Sequence, residues 1–166
     1  KKYCDQIGIM FLSTPFCFKT ADFLESIGVC AYKIASCDIN NFPLIEHIAS
    51  KRKPVILATG ASTLKEVKTA VLHIRKFGVE PIILHCTSAY PAAIDAANCG
   101  AITILRKKLG LAIGLSDHTI GIAAPLAALA LGARIIEKHF TIDKSLPGPD
   151  NAISALPEDI KQLKQI

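Results

Sequence analysis

The sequence has 166 residues, of which 51% are hydrophobic, and a formal net charge of +5. This length and composition allow one sizeable core and exclude a disordered or fibrous protein. No apolar run reaches the roughly 20 residues that a membrane-spanning helix needs, and the basic residues are dispersed without interleaved aromatic residues, which argues against a nucleic-acid-binding surface.

The six cysteines form no C-x-x-C pair and show no spacing typical of a zinc site. The start of the chain also lacks the apolar segment and cleavage site of a signal peptide. These features predict a cytoplasmic protein with free thiols that binds neither membrane nor nucleic acid.

Six short apolar runs recur along the chain at intervals of 23 to 30 residues. They are rich in β-branched residues and are bounded by Gly or Pro, as is typical of buried parallel strands. The predicted strands lie at residues 8–12, 31–35, 54–58, 81–85, 111–115 and 134–137.

Helical patterns separate these strands, at residues 21–27, 42–50, 63–77, 97–108 and 122–131. The clearest is 63–77, where Ser62 or Thr63 can cap an N-terminus that carries Glu66. The next residue, Gly78, is predicted to end this helix.

Alternating strands and helices indicate parallel βα units with right-handed crossovers. A doubly wound sheet is disfavoured because no turn has a Gly-rich phosphate-binding pattern. A (β/α)8 TIM barrel is favoured because every predicted strand is followed by polar or ionisable residues, and this fold has its functional sites at the carboxyl ends of its strands. Since such barrels have about 250 residues, we expect an α/β chain with six of the eight βα units, the two N-terminal units being absent.

His118 and His139 follow the last two predicted strands. On neighbouring strand ends, their imidazoles could ligate a divalent cation such as Mn²⁺, Co²⁺ or Mg²⁺. The alternative is that each is a hydrogen-bonded core histidine. Spacing alone favours this alternative, because the sequence identifies no third ligand.

Lys33 lies within an apolar predicted strand, where a charge needs a partner. That partner is either an anionic ligand or a carboxylate such as Asp38. The ligand is favoured, because Thr14 and Ser36 are expected at the same rim as further hydrogen-bond donors. Schiff-base chemistry at Lys33 remains a further possibility.

Two loops add candidate residues. Ser88 and Tyr90 lie in a hydroxyl-rich segment that either lines a substrate pocket or only forms turns. Asp150 lies in a Pro/Gly-rich segment, 145–154, that either covers the site or is a surface connection. The consecutive Ser116, Asp117 and His118 lack the nucleophile elbow of a hydrolase, which argues against a catalytic triad.

Several blocks of the sequence, in order along nearly the whole chain, resemble the sialic acid synthase family. They are FLSTPF (11–16), YKIAS (32–36), NNFPLIEHIA (40–49), KPVILATGAST (53–63), LHCTSAYP (84–91), GLSDHTIG (114–121), PLAALALGA (125–133) and IEKHFTIDKSLPGPD (136–150). The resemblance implies a TIM-barrel synthase that condenses phosphoenolpyruvate with an N-acetylated hexosamine to a sialic-type acid and releases phosphate.

The same resemblance implies that His118 and His139 hold a divalent metal, commonly Mn²⁺. The candidate catalytic residues are Lys33, Tyr90 and Asp150, and the candidate substrate-binding residues are Thr14, Lys33, Ser36, Ser88, Ser116 and Lys138. The family also implies a homodimer and a small C-terminal antifreeze-like domain, which we expect to be absent from these 166 residues. Two alternatives remain: a synthase acting on a different aminosugar, for legionaminic or pseudaminic acid or a spore-coat glycan, and a catalytically silent barrel fragment that binds ligands.

Overall fold

The computed structural model describes residues 1–165. The chain divides into two compact units, Lys1–Ile83 and Leu84–Ile166. Five strands, β1 (Tyr32–Ile34), β2 (Val55–Ala58), β3 (Ile82–Cys86), β4 (Ile113–Asp117) and β5 (Ile136–Lys138), follow one another in a sheet in chain order. The predicted α/β class with parallel strands is confirmed.

The first unit carries helices α1 (Lys2–Ile7), α2 (Phe18–Ser26), α3 (Phe42–Ala49) and α4 (Leu64–Arg75). Strands β1 and β2 pair in parallel, with Lys33 opposite Ile56. Its core consists of side chains that are almost fully buried, among them Tyr32, Ile34, Leu44, Ile45, Ile48, Leu57 and Ile74.

The second unit carries helices α5 (Ala101–Leu109), α6 (Ala123–Ala130) and α7 (Pro157–Lys164). Strands β4 and β5 pair in parallel, with Ser116 opposite Glu137 and Asp117 opposite Lys138. Gly114 is required in β4, because a Cβ at this position would clash with the carbonyl oxygen of Ile135. The absence of a side chain therefore lets the two strands approach each other closely.

The predicted strand at 8–12 is wrong. Helix α1 ends at Ile7 and is capped by Gly8, which adopts a left-handed conformation with φ of 72°, and within residues 1–165 the first strand is β1. Ile9 and Met10 are 59% and 69% exposed. An apolar run forms a strand only where a neighbour takes up its backbone hydrogen bonds and a packed layer covers its side chains.

The predicted helix 63–77 is confirmed as α4, with the predicted capping box. Thr63 Oγ1 accepts a hydrogen bond from the backbone N–H of Glu66, and the Glu66 carboxylate accepts one from the backbone N–H of Thr63 at 2.7 Å. The prediction of free thiols is also confirmed, since all six cysteines are unpaired. Over residues 1–165 the structure contains no helix with the length and apolarity needed to cross a bilayer.

Helices α2 and α3 are joined by an exposed cluster of aromatic and charged side chains. The Phe18 ring stacks on the His47 imidazole, with 4.6 Å between the ring centroids. Asp22 Oδ1 lies 2.8 Å from His47 Nε2 and 2.5 Å from the Lys51 ammonium. The Asp22 carboxylate thus holds two basic side chains, one within α3 and one just after its C-terminal end.

The same arrangement joins α3 and α4. Phe42 stacks on His73 with 4.3 Å between the ring centroids. Glu46 Oε1 lies 2.7 Å from both His73 Nδ1 and the Lys76 ammonium. Successive helix pairs of this unit therefore repeat one set of contacts.

These clusters predict acid sensitivity of the first unit. Hydrogen bonds from Lys51 and then His47 lower the pKa of Asp22, and those from Lys76 and then His73 lower the pKa of Glu46. Because the folded pKa values lie below the unfolded ones, the carboxylates stabilise the fold above about pH 4 and lose this contribution as the pH falls further.

Urea titrations between pH 6 and pH 3 should show a smaller loss of stability on acidification for the double variant Asp22→Asn/Glu46→Gln than for the parent. An identical pH dependence of the two proteins would show that these two carboxylates do not cause the acid sensitivity.

Candidate active site

The site is built at the carboxyl ends of β4 and β5, in the second unit. His118 directly follows β4 and His139 directly follows β5. Because the preceding residues, Asp117 and Lys138, are partners in the parallel ladder, the two histidines leave the sheet side by side. Their imidazole centroids are 5.3 Å apart.

Tyr90 completes an aromatic cluster with the two histidines. Its ring centroid lies 4.0 Å from that of His118 and 5.8 Å from that of His139. Tyr90 remains 57% exposed, whereas His118 is only 7% exposed. The phenol thus lies on the solvent side of a buried imidazole, where a ligand can reach it.

Asp150 joins this cluster through His139. Its Oδ2 atom lies 3.7 Å from His139 Nδ1, an ion-pair distance rather than a hydrogen bond. The loop around Asp150 is held locally, because Ser154 donates to the Asp150 carbonyl and Asn151 donates to the Pro147 carbonyl. The Pro/Gly-rich segment therefore brings its acidic residue to the histidine pair.

The tautomer of His118 follows from its contact with the backbone. Nδ1 lies 3.0 Å from the carbonyl oxygen of Thr87, which can only accept. Nδ1 therefore carries the proton, and in the neutral ring Nε2 keeps its lone pair. A hydrogen bond of this kind orients the imidazole of a metal-ligating histidine.

Cys86 lies under His118, a position that sequence reasoning did not connect to the site. Its sulfur is 3.9 Å from His118 Nδ1 and 3.9 Å from Ser88 Oγ. Burial by itself would raise the pKa of the thiol, but hydrogen bonds from His118, Ser116 and Ser88 lower it overall. Likewise, burial would lower the pKa of His118, and its contacts with Cys86 and the Thr87 carbonyl raise it. Alternation along the strands was the signal that could have found Cys86, since it shares a face with Ser88.

Ser116 and Lys138 both have partners inside the protein. Ser116 is 4% exposed and donates a 2.7 Å hydrogen bond to Glu137. The Lys138 ammonium donates to Asp117 Oδ2 at 2.5 Å and to the Thr119 carbonyl at 2.6 Å. Sequence reasoning did not anticipate this buried Asp117–Lys138 ion pair, whose side chains are only 1% and 3% exposed.

The first unit holds the remaining candidates, Thr14, Lys33 and Ser36. Lys33 is half-buried in the middle of β1. Ser36 Oγ accepts a 2.9 Å hydrogen bond from the backbone N–H of Gly60, just after β2. Thr14 is half-buried in the segment that precedes α2.

Two histidines alone would leave most coordination positions of a bound metal ion open. Over residues 1–165 no group of three or more His, Cys, Asp or Glu side chains is arranged to hold an ion. Two imidazoles, of which that of His118 has its tautomer fixed by the Thr87 carbonyl, would suit a divalent first-row metal whose other positions are filled by water or substrate oxygens.

Comparison with known proteins gives a consistent result. The chain matches the NeuB family over residues 1–166. It is 44% identical to the N,N'-diacetyllegionaminic acid synthase of Legionella pneumophila, covering 97% of this chain and 47% of that protein. The chain thus spans about half the length of this curated relative.

Solved structures show the same relationship. The N-acetylneuraminic acid synthetase of Leptospira borgpetersenii, solved with citrate, superposes with a TM-score of 0.96 at 43% identity, over 99% of this chain and 58% of that one. A Thermotoga maritima phospho-2-dehydro-3-deoxyheptonate aldolase shares the fold alone, with a TM-score of 0.84 at 22% identity, over 99% of this chain and 51% of that one. The predicted resemblance is therefore confirmed, and the chain belongs to the NeuB family.

Proposed function

We propose that this chain carries part of the catalytic barrel of a synthase that condenses phosphoenolpyruvate with an N-acetylated hexosamine. The observation that supports this most strongly is the cluster of His118, His139, Tyr90 and Asp150 at the ends of β4 and β5. It combines two metal-type ligands, a partly exposed aromatic ring and a carboxylate, in a chain of the NeuB family. The complete eight-stranded barrel, the homodimer and the cytoplasmic location belong to the same proposal.

The reaction forms one carbon–carbon bond and breaks one bond to phosphate. C3 of phosphoenolpyruvate attacks the aldehyde carbon of the open-chain sugar, and water adds at C2. The tetrahedral product then loses phosphate and becomes the 2-keto acid. A Mn²⁺ ion held by His118 and His139 would supply Lewis-acid polarisation of the sugar carbonyl.

The other proposed roles follow from the chemistry and position of each side chain. The hydrogen bond from Nδ1 of His118 to the Thr87 carbonyl leaves Nε2 as the nitrogen that would ligate the metal. Tyr90 and Asp150 are proposed to bind the sugar, because their exposed polar groups lie beside the histidine pair. Ser88 is proposed to donate to the anionic substrate, and Ser116 could do so only after releasing its single hydroxyl hydrogen from Glu137.

Lys33, Thr14 and Ser36 of the first unit are proposed to bind the phosphate or carboxylate of phosphoenolpyruvate. Lys33 would offset the charge of the anion, and the hydroxyls would orient it. Positioning and electrostatic stabilisation would then supply most of the rate acceleration.

A specific observation favours a diacetamido acceptor as a second candidate. The Legionella relative is named for a product with two N-acetyl groups, and such a product requires an acceptor sugar that carries both. An acceptor with one N-acetyl group corresponds instead to the Leptospira structure.

Phosphate release should therefore be measured in the complete protein that carries this part of the barrel, with phosphoenolpyruvate and either N-acetylmannosamine or a diacetamido hexose. We expect turnover with one of these acceptors, its loss on chelation and its recovery with Mn²⁺. Absence of turnover with both would contradict the synthase and favour a silent, ligand-binding barrel. Turnover that resists chelation would contradict the metal role of the histidines.

A further inference from the structure

The last two positions of the β4–β5 ladder carry polar pairs that link the strands. Ser116 lies opposite Glu137 and Asp117 lies opposite Lys138. In each case the opposed side chains are hydrogen-bonded, at 2.7 Å and 2.5 Å. The ladder thus ends in two cross-strand contacts immediately before His118 and His139.

The two pairs lie on opposite faces of the sheet. Successive strand residues point to opposite sides, and Ser116 and His118 share one side because both contact the Cys86 thiol. Asp117 therefore points to the other side, together with Lys138, its partner in the parallel ladder. The Asp117–Lys138 pair therefore lies behind the imidazoles and away from the face that Tyr90 occupies.

The Asp117–Lys138 pair is bonded to the chain on both sides of His118. Lys138 Nζ contacts Asp117 before the histidine and the Thr119 carbonyl after it, at 2.5 and 2.6 Å. Asp117 in turn accepts hydrogen bonds from the Thr119 backbone N–H at 3.0 Å and from Thr119 Oγ1 at 3.2 Å. One ammonium and one carboxylate thus fix the residues on both sides of His118 and tie them to the residue before His139.

We propose that Asp117 and Lys138 are positioning residues that set the separation and orientation of His118 and His139. This inference rests on the proposed metal role of the two histidines. Neutral side chains of similar volume often replace a buried ion pair without loss of stability. The presence of an ion pair at this point is therefore better explained by the geometry that it imposes on the two histidines than by a gain in stability. Metal sites need their ligands held to within about 0.5 Å.

The contacts of Lys138 give it a different role from the substrate binding expected for it. Its side chain is 3% exposed and its ammonium is bonded to two groups of the protein. Lys138 therefore acts on the site through the histidines rather than by contact with substrate.

The test is the double variant Asp117→Asn/Lys138→Met, which removes both charges without leaving one unpaired. The introduced amide would still offer an oxygen to the Thr119 N–H. In the complete protein, isothermal titration with MnCl₂ should show an Mn²⁺ affinity about 10- to 100-fold weaker than that of the parent. Losses of this size are found when other residues that orient metal ligands are replaced. The thermal midpoint should stay close to that of the parent.

Lys53→Met is the matched control, because it removes a lysine that pairs with Glu25 at 2.9 Å in the other unit. It should leave the Mn²⁺ affinity unchanged. Parent-like Mn²⁺ affinity in the double variant would overturn the positioning role.

A second readout needs no metal. In ¹H–¹⁵N spectra of the metal-free protein, the ring signals of His118 and His139 should shift or broaden in the double variant, whereas those of His47 should not. Unchanged signals for both site histidines would overturn the proposal.

The single variants His118→Ala and His139→Ala distinguish a failure of the proposed metal site from a failure of the positioning role. If they bind Mn²⁺ as the parent does, the proposed metal site fails. If they lose Mn²⁺ while the double variant keeps full affinity, only the positioning role fails.

Discussion

Replacing Lys138 alone by methionine is expected to destabilise the fold by about 3–5 kcal/mol, since removing one partner of a buried ion pair leaves the other charge uncompensated. The carboxylate left behind is that of Asp117, whose side chain is 1% exposed. The loss should appear as a lower midpoint in urea denaturation with an unchanged slope.

The control for this prediction is Lys76→Met, which removes a lysine from a partly exposed ion pair with Glu46. Exposed pairs contribute at most about 1 kcal/mol. A loss of stability for Lys138→Met no larger than that for Lys76→Met would show that the buried pair is not required for the fold.

His139→Ala is expected to abolish Mn²⁺ binding and to reduce turnover by about 10³-fold or more, because a Lewis-acid metal contributes several kcal/mol to the stabilisation of the transition state. Its imidazole has its polar contact with Asp150 at 3.7 Å, at the edge of the cluster, so the fold should survive the substitution. Metal binding by titration and phosphate release from phosphoenolpyruvate are the two measurements.

His47→Ala is the corresponding control, since it removes a histidine from the first unit. Circular dichroism should show the parent fold for both variants. If His139→Ala retains Mn²⁺, then His139 is a core histidine rather than a ligand, which is the alternative that the spacing of the sequence favoured.

Much of the local structure was predictable because it depends on short-range chemistry. The helix over α4 follows from Thr63, Glu66 and the apolar spacing behind them, and each of these features acts within a few residues. The apolar run at 8–12 failed as a strand for the opposite reason. Its composition is suitable, but pairing and coverage must come from elsewhere, and Met10 remains 69% exposed.

The candidate site was likewise predictable only in part. Periodicity placed His118 and His139 after neighbouring strands, and the structure brings their rings within 5.3 Å of each other. The Pro/Gly pattern left open whether the loop of Asp150 covers the site, and the structure decides this by placing Asp150 3.7 Å from His139. No pattern in the sequence showed that the tautomer of His118 depends on the carbonyl of Thr87.

The sequence by itself determined the alternation of strands and helices, the capping box of α4, the free thiols and, through its ordered motifs, the family. These properties depend on residue type and spacing. Only the tertiary structure decided that Lys138 is buried against Asp117 and that Cys86 lies under His118. Strand register and burial set the partner of each charge, and both arise from contacts between residues far apart in the chain.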